Sequence, residues 1–201
     1  GYAVVACFAY GSWNYDGMSD QESDVDTKCW VLPKFEDIVL NKKPSSFTHI
    51  TDNNEHIDVK DVRVYFELIK KQNPSFLEVL FSNAYTINKD YYDLVDYLMV
   101  NRELIAKYNT PKLLSACLGQ IYEKQNSLTH RYEGIKEKID KYGYDGKQLA
   151  NAIRLLNMIQ TITLGGTFQQ SLNSSSPNSD YLISLKRNAL PNHTKEDAVF
   201  D

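Results

Sequence analysis

The chain has 201 residues, 42% of them hydrophobic and 24% charged, and a formal net charge of −4. That length suits one domain or two small packed ones with room for a real core, and the acidic balance argues against binding nucleic acid over the whole surface while leaving room for a local basic groove. Cys7, Cys29 and Cys117 have no Cys-x-x-Cys spacing, so no disulfide framework and no zinc site is expected and a reducing cytoplasm is the default; no apolar run approaches ~18 residues, so no membrane span is expected.

Tyr2–Tyr10 is a nearly all-apolar run closed by Gly11-Ser12. It lacks a basic flank and a small-residue cleavage site, so it reads as a strand buried on both faces rather than a signal peptide. The stretch from Trp13 to Ser23 is rich in Gly, Ser, Asn and Asp and reads as a loop or short helical turn. A second strand is expected over Asp24–Leu32, stopped by Pro33. Lys34–Asn41 reads as a short helix with Phe35, Ile38 and Val39 inward, and Asn41–Asn54 as a polar connection. Glu55–Lys60 is a short strand candidate. Asp61 can cap a helix holding Val62, Phe66 and Ile69 on one face. Asn73-Pro74 interrupts that helix, and Pro74 can begin a second one through Phe81.

The remainder reads as helical. Asp90 is a candidate cap for a helix to about Tyr108. Thr110-Pro111 opens a long segment with Leu114, Cys117, Leu118 and Ile121 inward. Gly143–Gly146 breaks the chain, and Lys147–Leu164 carries Leu149, Ile153, Leu156 and Ile159 at helical spacing until Gly165-Gly166. A loop is expected over Ser171–Ser179, a last helix begins at Asp180, and another is suggested after Thr194.

The chemistry concentrates in Gly11-Ser12-Trp13-Asn14-Tyr15 and Ser23-Asp24-Val25-Asp26. On a strand, residues two apart share a face at roughly 7 Å, so Asp24 and Asp26 present two carboxylates side by side. Two such charges repel unless a cation lies between them. Oxygen ligands with no nearby His or Cys favour Mg²⁺ or Mn²⁺ over zinc, and a carboxylate pair of this kind can hold two ions about 3.5–4 Å apart for phosphoryl transfer. Gly11 and Ser12, at a strand end, offer backbone N–H groups and a hydroxyl to phosphate oxygens. Tyr15 is a candidate to stack on a base. Lys147, Asn151 and Arg154 fall at i, i+4 and i+7, which places them on one polar helix face. His49, His56, His130 and His193 have no ligand spacing.

Gly-Ser, an eleven-residue spacer and Asp-x-Asp together resemble the signature of the DNA polymerase β-like nucleotidyltransferase superfamily. The fuller text is similar to predicted nucleotidyltransferases of bacteria and their phages with undefined substrates. It comprises Gly-Ser-x-Asn-Tyr, Ser-Asp-Val-Asp, Lys70 to Glu78, and Tyr144-Asp145-Gly146-Lys147 through Leu156. The family often has Tyr-Gly after Gly-Ser, where this chain reads Asn14-Tyr15-Asp16-Gly17.

The resemblance implies an α+β fold, a small mixed sheet flanked by helices with a helical C-terminal region. It divides into a catalytic domain over 1–88 and a helical domain over 89–201. It implies a third carboxylate on a later strand, which Asp58 matches, Asp61 reading better as a cap. Asp24, Asp26 and Asp58 would then hold Mg²⁺ or Mn²⁺. Gly11, Ser12, Tyr15, Lys147 and Arg154 would contact a nucleoside triphosphate, ATP first among them. The product would be a nucleotidylated acceptor: a small molecule, a protein side chain or an RNA end. Some relatives build the site between subunits, so a homo-oligomer fits the resemblance. The competing reading is a nucleotide-binding or partner-binding protein that kept the fold, antitoxin-like or a phage counter-defence factor.

Overall fold

A computed structural model describes residues 2–15, 26–52, 55–173, 179–190 and 193–200. Strand β1 (Ala3–Tyr10) runs antiparallel to β2 (Asp26–Leu32), with Tyr10 opposite Asp26. At the end of β1, Gly11–Asn14 forms a single 3-10 turn that Gly11 enters at a φ of +74°, an angle that glycine adopts freely and other residues rarely do. Helix α1 (Phe35–Val39) follows β2. Strands β3 (Ser46–Ile50) and β4 (His56–Asp61) pair antiparallel, and β4 lies parallel to β2. Next come α2 (Val62–Lys70), α3 (Pro74–Leu77) and a 3-10 turn over Glu78–Phe81. Strand β5 (Tyr85–Ile87) returns antiparallel to β1. The sheet is therefore mixed, with order β3-β4-β2-β1-β5. After it come α4 (Tyr92–Val100), α5 (Arg102–Ala106) and α6 (Thr110–Ser127).

Strand residues alternate between faces, and the register sorts the chemistry. Phe8, Tyr10, Asp26, Lys28, Trp30, Asp58 and Lys60 share one face. Cys7, Ala9, Thr27, Cys29, Val31, Ile57 and Val59 share the other. On the first face Trp30 stacks between Phe8 and Tyr65 of α2, with centroids 4.5 and 4.1 Å away. The buried Tyr65 hydroxyl donates to the Phe76 carbonyl at 3.0 Å. On the second face Cys29, Val31 and Val59 are buried, with Cys7 and Ile57 packed against them.

Local signals set the helix starts. The Asp61 carboxylate accepts the Arg63 N–H at 2.9 Å and pairs with the Arg63 guanidinium at 2.7 Å. It is fully buried as the α2 cap, as its position ahead of the helix suggested. Asn73 caps α3 through the Ser75 N–H, with Pro74 in the first turn.

The described residues fall in two compact units. One comprises Gly1–Asn14 and Ser19–Leu113, the other Tyr15–Met18 and Leu114–Asp201. The second is helical, with α7 (Lys136–Tyr142), α8 (Gly146–Thr163), α9 (Phe168–Asn173), α10 (Ser179–Lys186) and α11 (Lys195–Phe200) in addition to most of α6. The Asp145 carboxylate caps α8 by accepting the Lys147 N–H at 2.9 Å. At Gly146 α8 meets α10 so closely that a β-carbon would lie 1.8 Å from the Leu185 carbonyl oxygen. Alanine normally stabilises a helix relative to glycine by about 1 kcal/mol, but here overpacking against backbone reverses the sign. Gly146→Ala is expected to destabilise the helical unit by about 1–3 kcal/mol, read as a lower urea midpoint. An unchanged or raised midpoint would refute the close approach.

The α+β architecture agrees with the expectation, and several details differ. Phe35 and Val39 of α1 are 78% and 63% exposed, so that helix presents its apolar residues outward. The polar connection contains β3, an exposed edge strand. The helical remainder opens with β5, and Asn88 rather than Asp90 caps the 3-10 turn Lys89–Tyr91 that follows it. On α2 the buried residues are Tyr65 and Ile69, while Phe66 faces outward. On α6 Leu113 and Cys117 are buried and Leu118 is exposed. Among the described residues no helix is long and apolar enough to cross a membrane.

Candidate functional site

The end of β1 and the start of β2 bring three expected residues together. Tyr10 pairs with Asp26, so the chain turns at Gly11 directly beside the Asp26 side chain. A β-carbon on Gly11 would stand 3.4 Å from Asp26 Oδ2. Ser12 follows within the turn, which is held from below by the Asn14 amide donating to the Glu78 carbonyl at 3.5 Å. The Ser82 hydroxyl donates to the Ala9 carbonyl at 2.7 Å and braces the strand end.

Asp58 stands on β4, on the same face as Asp26 and opposite Lys28 of the parallel neighbour. It is not alone there. Lys60 Nζ lies 2.7 Å from Asp58 Oδ1, and Lys28 Nζ lies 3.9 Å from Oδ2. Lys60 also donates to the Ser46 hydroxyl at 2.6 Å, which ties it to the edge strand. Lys28 is buried, its ammonium 3.6 Å from the centre of the Tyr10 ring and 4.5 Å from that of Phe76. Burial pushes the Lys28 ammonium down to about 8, while Asp58 and Asp26 pull it back up. Burial also pushes the Tyr10 phenol up to about 12, helped by Asp26, Asp58 and Glu78. At neutral pH Tyr10 therefore keeps its proton and Lys28 its charge.

Lys28, Lys60 and Tyr10 are the members of this face that reading for acids alone misses. The signal was present as Asp26-x-Lys28 and Asp58-x-Lys60, since residues two apart share a face. Asp24 lies outside the described residues, as does the rest of 16–25.

The second unit gathers two more of the expected residues. The Arg154 guanidinium lies 3.9 Å from the centre of the Tyr15 ring, a cation–π contact. Arg154 is buried rather than on a solvated face, because the inward stripe of α8 runs through Leu149, Ala152, Leu155, Met158 and Ile162. Leu156, expected inward, is exposed. Lys147 is exposed at the start of the same helix.

Asp26 and Asp58 offer carboxylate oxygens, both half-buried and on one face. Among the described residues no three acid, imidazole or thiol groups converge on a single point. Asp58 is already compensated by two ammonium groups, so its carboxylate sits where positive charge is required. Asp26 offers the hard oxygen donors that Mg²⁺ or Mn²⁺ takes, whereas the Asp58 carboxylate is already paired with Lys28 and Lys60.

No family model matches this chain, nor does any curated protein or solved structure.

Proposed function

We propose that the protein is a metal-dependent nucleotidyltransferase, moving a nucleoside monophosphate from a nucleoside triphosphate, ATP foremost, to an acceptor hydroxyl. The observation that carries this reading is the turn at Gly11. A left-handed glycine there brings bare backbone against Asp26, on the face that also holds Asp58.

In this reading the acceptor oxygen bonds to the α-phosphorus while the bond to the pyrophosphate oxygen breaks. The acceptor proton passes to Asp58 and then to solvent. The backbone N–H groups after Gly11 and the Ser12 hydroxyl hold the leaving phosphates. Lys28 and Lys60 supply fixed positive charge beside the reacting centre, where preorganised charge is most effective. The Tyr10 hydroxyl remains a donor throughout. Asp24 and Asp26 are the residues for Mg²⁺ or Mn²⁺, which when bound neutralises phosphate charge and acidifies the acceptor hydroxyl. Tyr15, Lys147 and Arg154 are carried by the resemblance alone as candidates for nucleotide contacts.

One observation favours a second reading. The two ammonium groups on Asp58 would also serve a protein that binds nucleotide, or a protein partner, without turnover. Incubation with each labelled nucleoside triphosphate, Mg²⁺ or Mn²⁺ and a cell extract separates the two. Label transfer with stoichiometric pyrophosphate release supports the enzyme. Metal-dependent thermal stabilisation by a triphosphate without pyrophosphate moves the assignment to the binding protein.

A further inference from the structure

We infer that Cys7 and Cys29 form a reversible disulfide, an oxidation site on the sheet face opposite the acids. The two residues are direct partners on neighbouring antiparallel strands. Residues so opposed have Cα atoms about 4.5–5.5 Å apart, inside the roughly 4.4–6.8 Å that a disulfide spans. The bond therefore forms without moving either strand. The side chains lie on one face, Cys7 packing against the buried cluster that Cys29 forms with Val31 and Val59. The Cys29 thiol beside it draws the Cys7 thiol below the usual thiol range against the opposing pull of burial, and the Cys29 thiol is pushed up.

Access is one-sided. Cys29 is buried, whereas Cys7 is half-buried and lines an open cleft of about 560 Å³ with Ala9, Thr27, Asn83, Ala84 and Thr86. A small reagent reaches Cys7 first, and Cys29 stands behind it as the resolving thiol. The third cysteine has neither property. Cys117 is buried, lies 3.8 Å from the Met158 sulfur, and is pushed by burial to about 12.

The oxidant is a low-molecular-weight disulfide such as oxidised glutathione. The Cys7 thiolate attacks one of its sulfurs, forming a mixed disulfide and releasing one thiolate. That thiolate takes the Cys29 proton. The Cys29 sulfur then attacks the Cys7 sulfur, closing the bond between them and releasing the second small thiol. The protein loses two hydrogens, and the small disulfide becomes two thiols. The bond would clamp β1 to β2 across the segment that carries Gly11, Ser12, Asp24 and Asp26. The site itself stands whether or not the protein transfers nucleotides.

The test exposes the reduced full-length chain to glutathione buffers of rising oxidised fraction, then quenches with acid, denatures and alkylates. The expected product is lighter by two hydrogens, with the Cys7 and Cys29 peptides joined and Cys117 fully alkylated. Cys29→Ala should stop at a glutathione adduct on Cys7, and Cys7→Ser should take up no glutathione. In the native reduced protein, alkylation of Cys7 should speed up with rising pH and level off at a lower pH than for a free thiol, because the thiolate is the nucleophile. Cys29→Ala removes the neighbouring thiol and should move that rise to higher pH. A wild-type protein that halts at the mixed disulfide, or keeps both thiols at every ratio, would overturn the inference.

Discussion

Asp26→Asn is expected to lose the proposed nucleotidyl transfer while keeping its fold. The carboxylate lies against the Gly11 backbone, where a triphosphate bound at the turn would bring its metal ion. Asparagine keeps the shape and the strand pairing with Tyr10 but surrenders the charge. Loss of one preorganised charge-stabilising group costs roughly 10²–10³-fold in turnover, and loss of a metal ligand at least that. Asp26 is half-buried at the first position of β2, so stability should stay within about 0.5 kcal/mol. Asp58→Asn should behave differently, losing activity and also stability, because it leaves Lys28 and Lys60 facing each other without their shared carboxylate. Pyrophosphate release and thermal melts on both variants make the check. Undiminished transfer by Asp26→Asn would end the catalytic assignment.

The largest expected loss of stability is at Tyr65. Its ring lies at the centre of the aromatic layer between sheet and helix, against Trp30, and it is fully buried. Tyr65→Ala opens a cavity there and should cost about 3–5 kcal/mol, roughly a 6–20 °C fall in melting temperature for a cooperative unit of the whole chain's size. Tyr65→Phe keeps the packing but strands the Phe76 carbonyl that accepts its hydroxyl, so a smaller loss of about 1–3 kcal/mol is expected. If the two variants melted alike, the hydroxyl rather than the ring would be holding α2 and α3 to the sheet.

The parts of this fold that the sequence makes legible are those with local causes. The apolar run of β1 ending in Gly11, the Asp61 and Asn73 caps and the first-turn Pro74 all announce themselves within a few residues. What escaped depends on distant partners. Strand β3 is short and exposed throughout, so no alternation of buried and solvated residues marks it. Strand β5 has three residues and exists because β1 offers it an edge. Phe66 is the more apolar of the two on paper, yet packing against Trp30 turns Tyr65 inward. Arg154 reads as solvated because charged residues usually are, and its contact with the Tyr15 ring has no local signature. Within the site, the acids were legible from spacing. Lys28 and Lys60 were legible by the same rule but are not part of a reading that looks for metal ligands. The Cys7–Cys29 pair was hidden because register, unlike spacing, is a property of two strands together.

The placement of β1 also sets an order of assembly. It leaves the ribosome before either of its neighbours, pairing on one side with β2 and on the other with β5, which ends at Ile87. Domains are made from the N-terminus onward at about 5–20 residues per second, so this apolar strand waits several seconds for its second neighbour. Until then one of its edges has free backbone groups that another nascent chain can pair with. The same placement between β2 and β5 that seats Gly11 beside Asp26 in the finished protein therefore makes the synthesis of the residues from β1 to β5 the interval in which this edge is most open to a wrong partner.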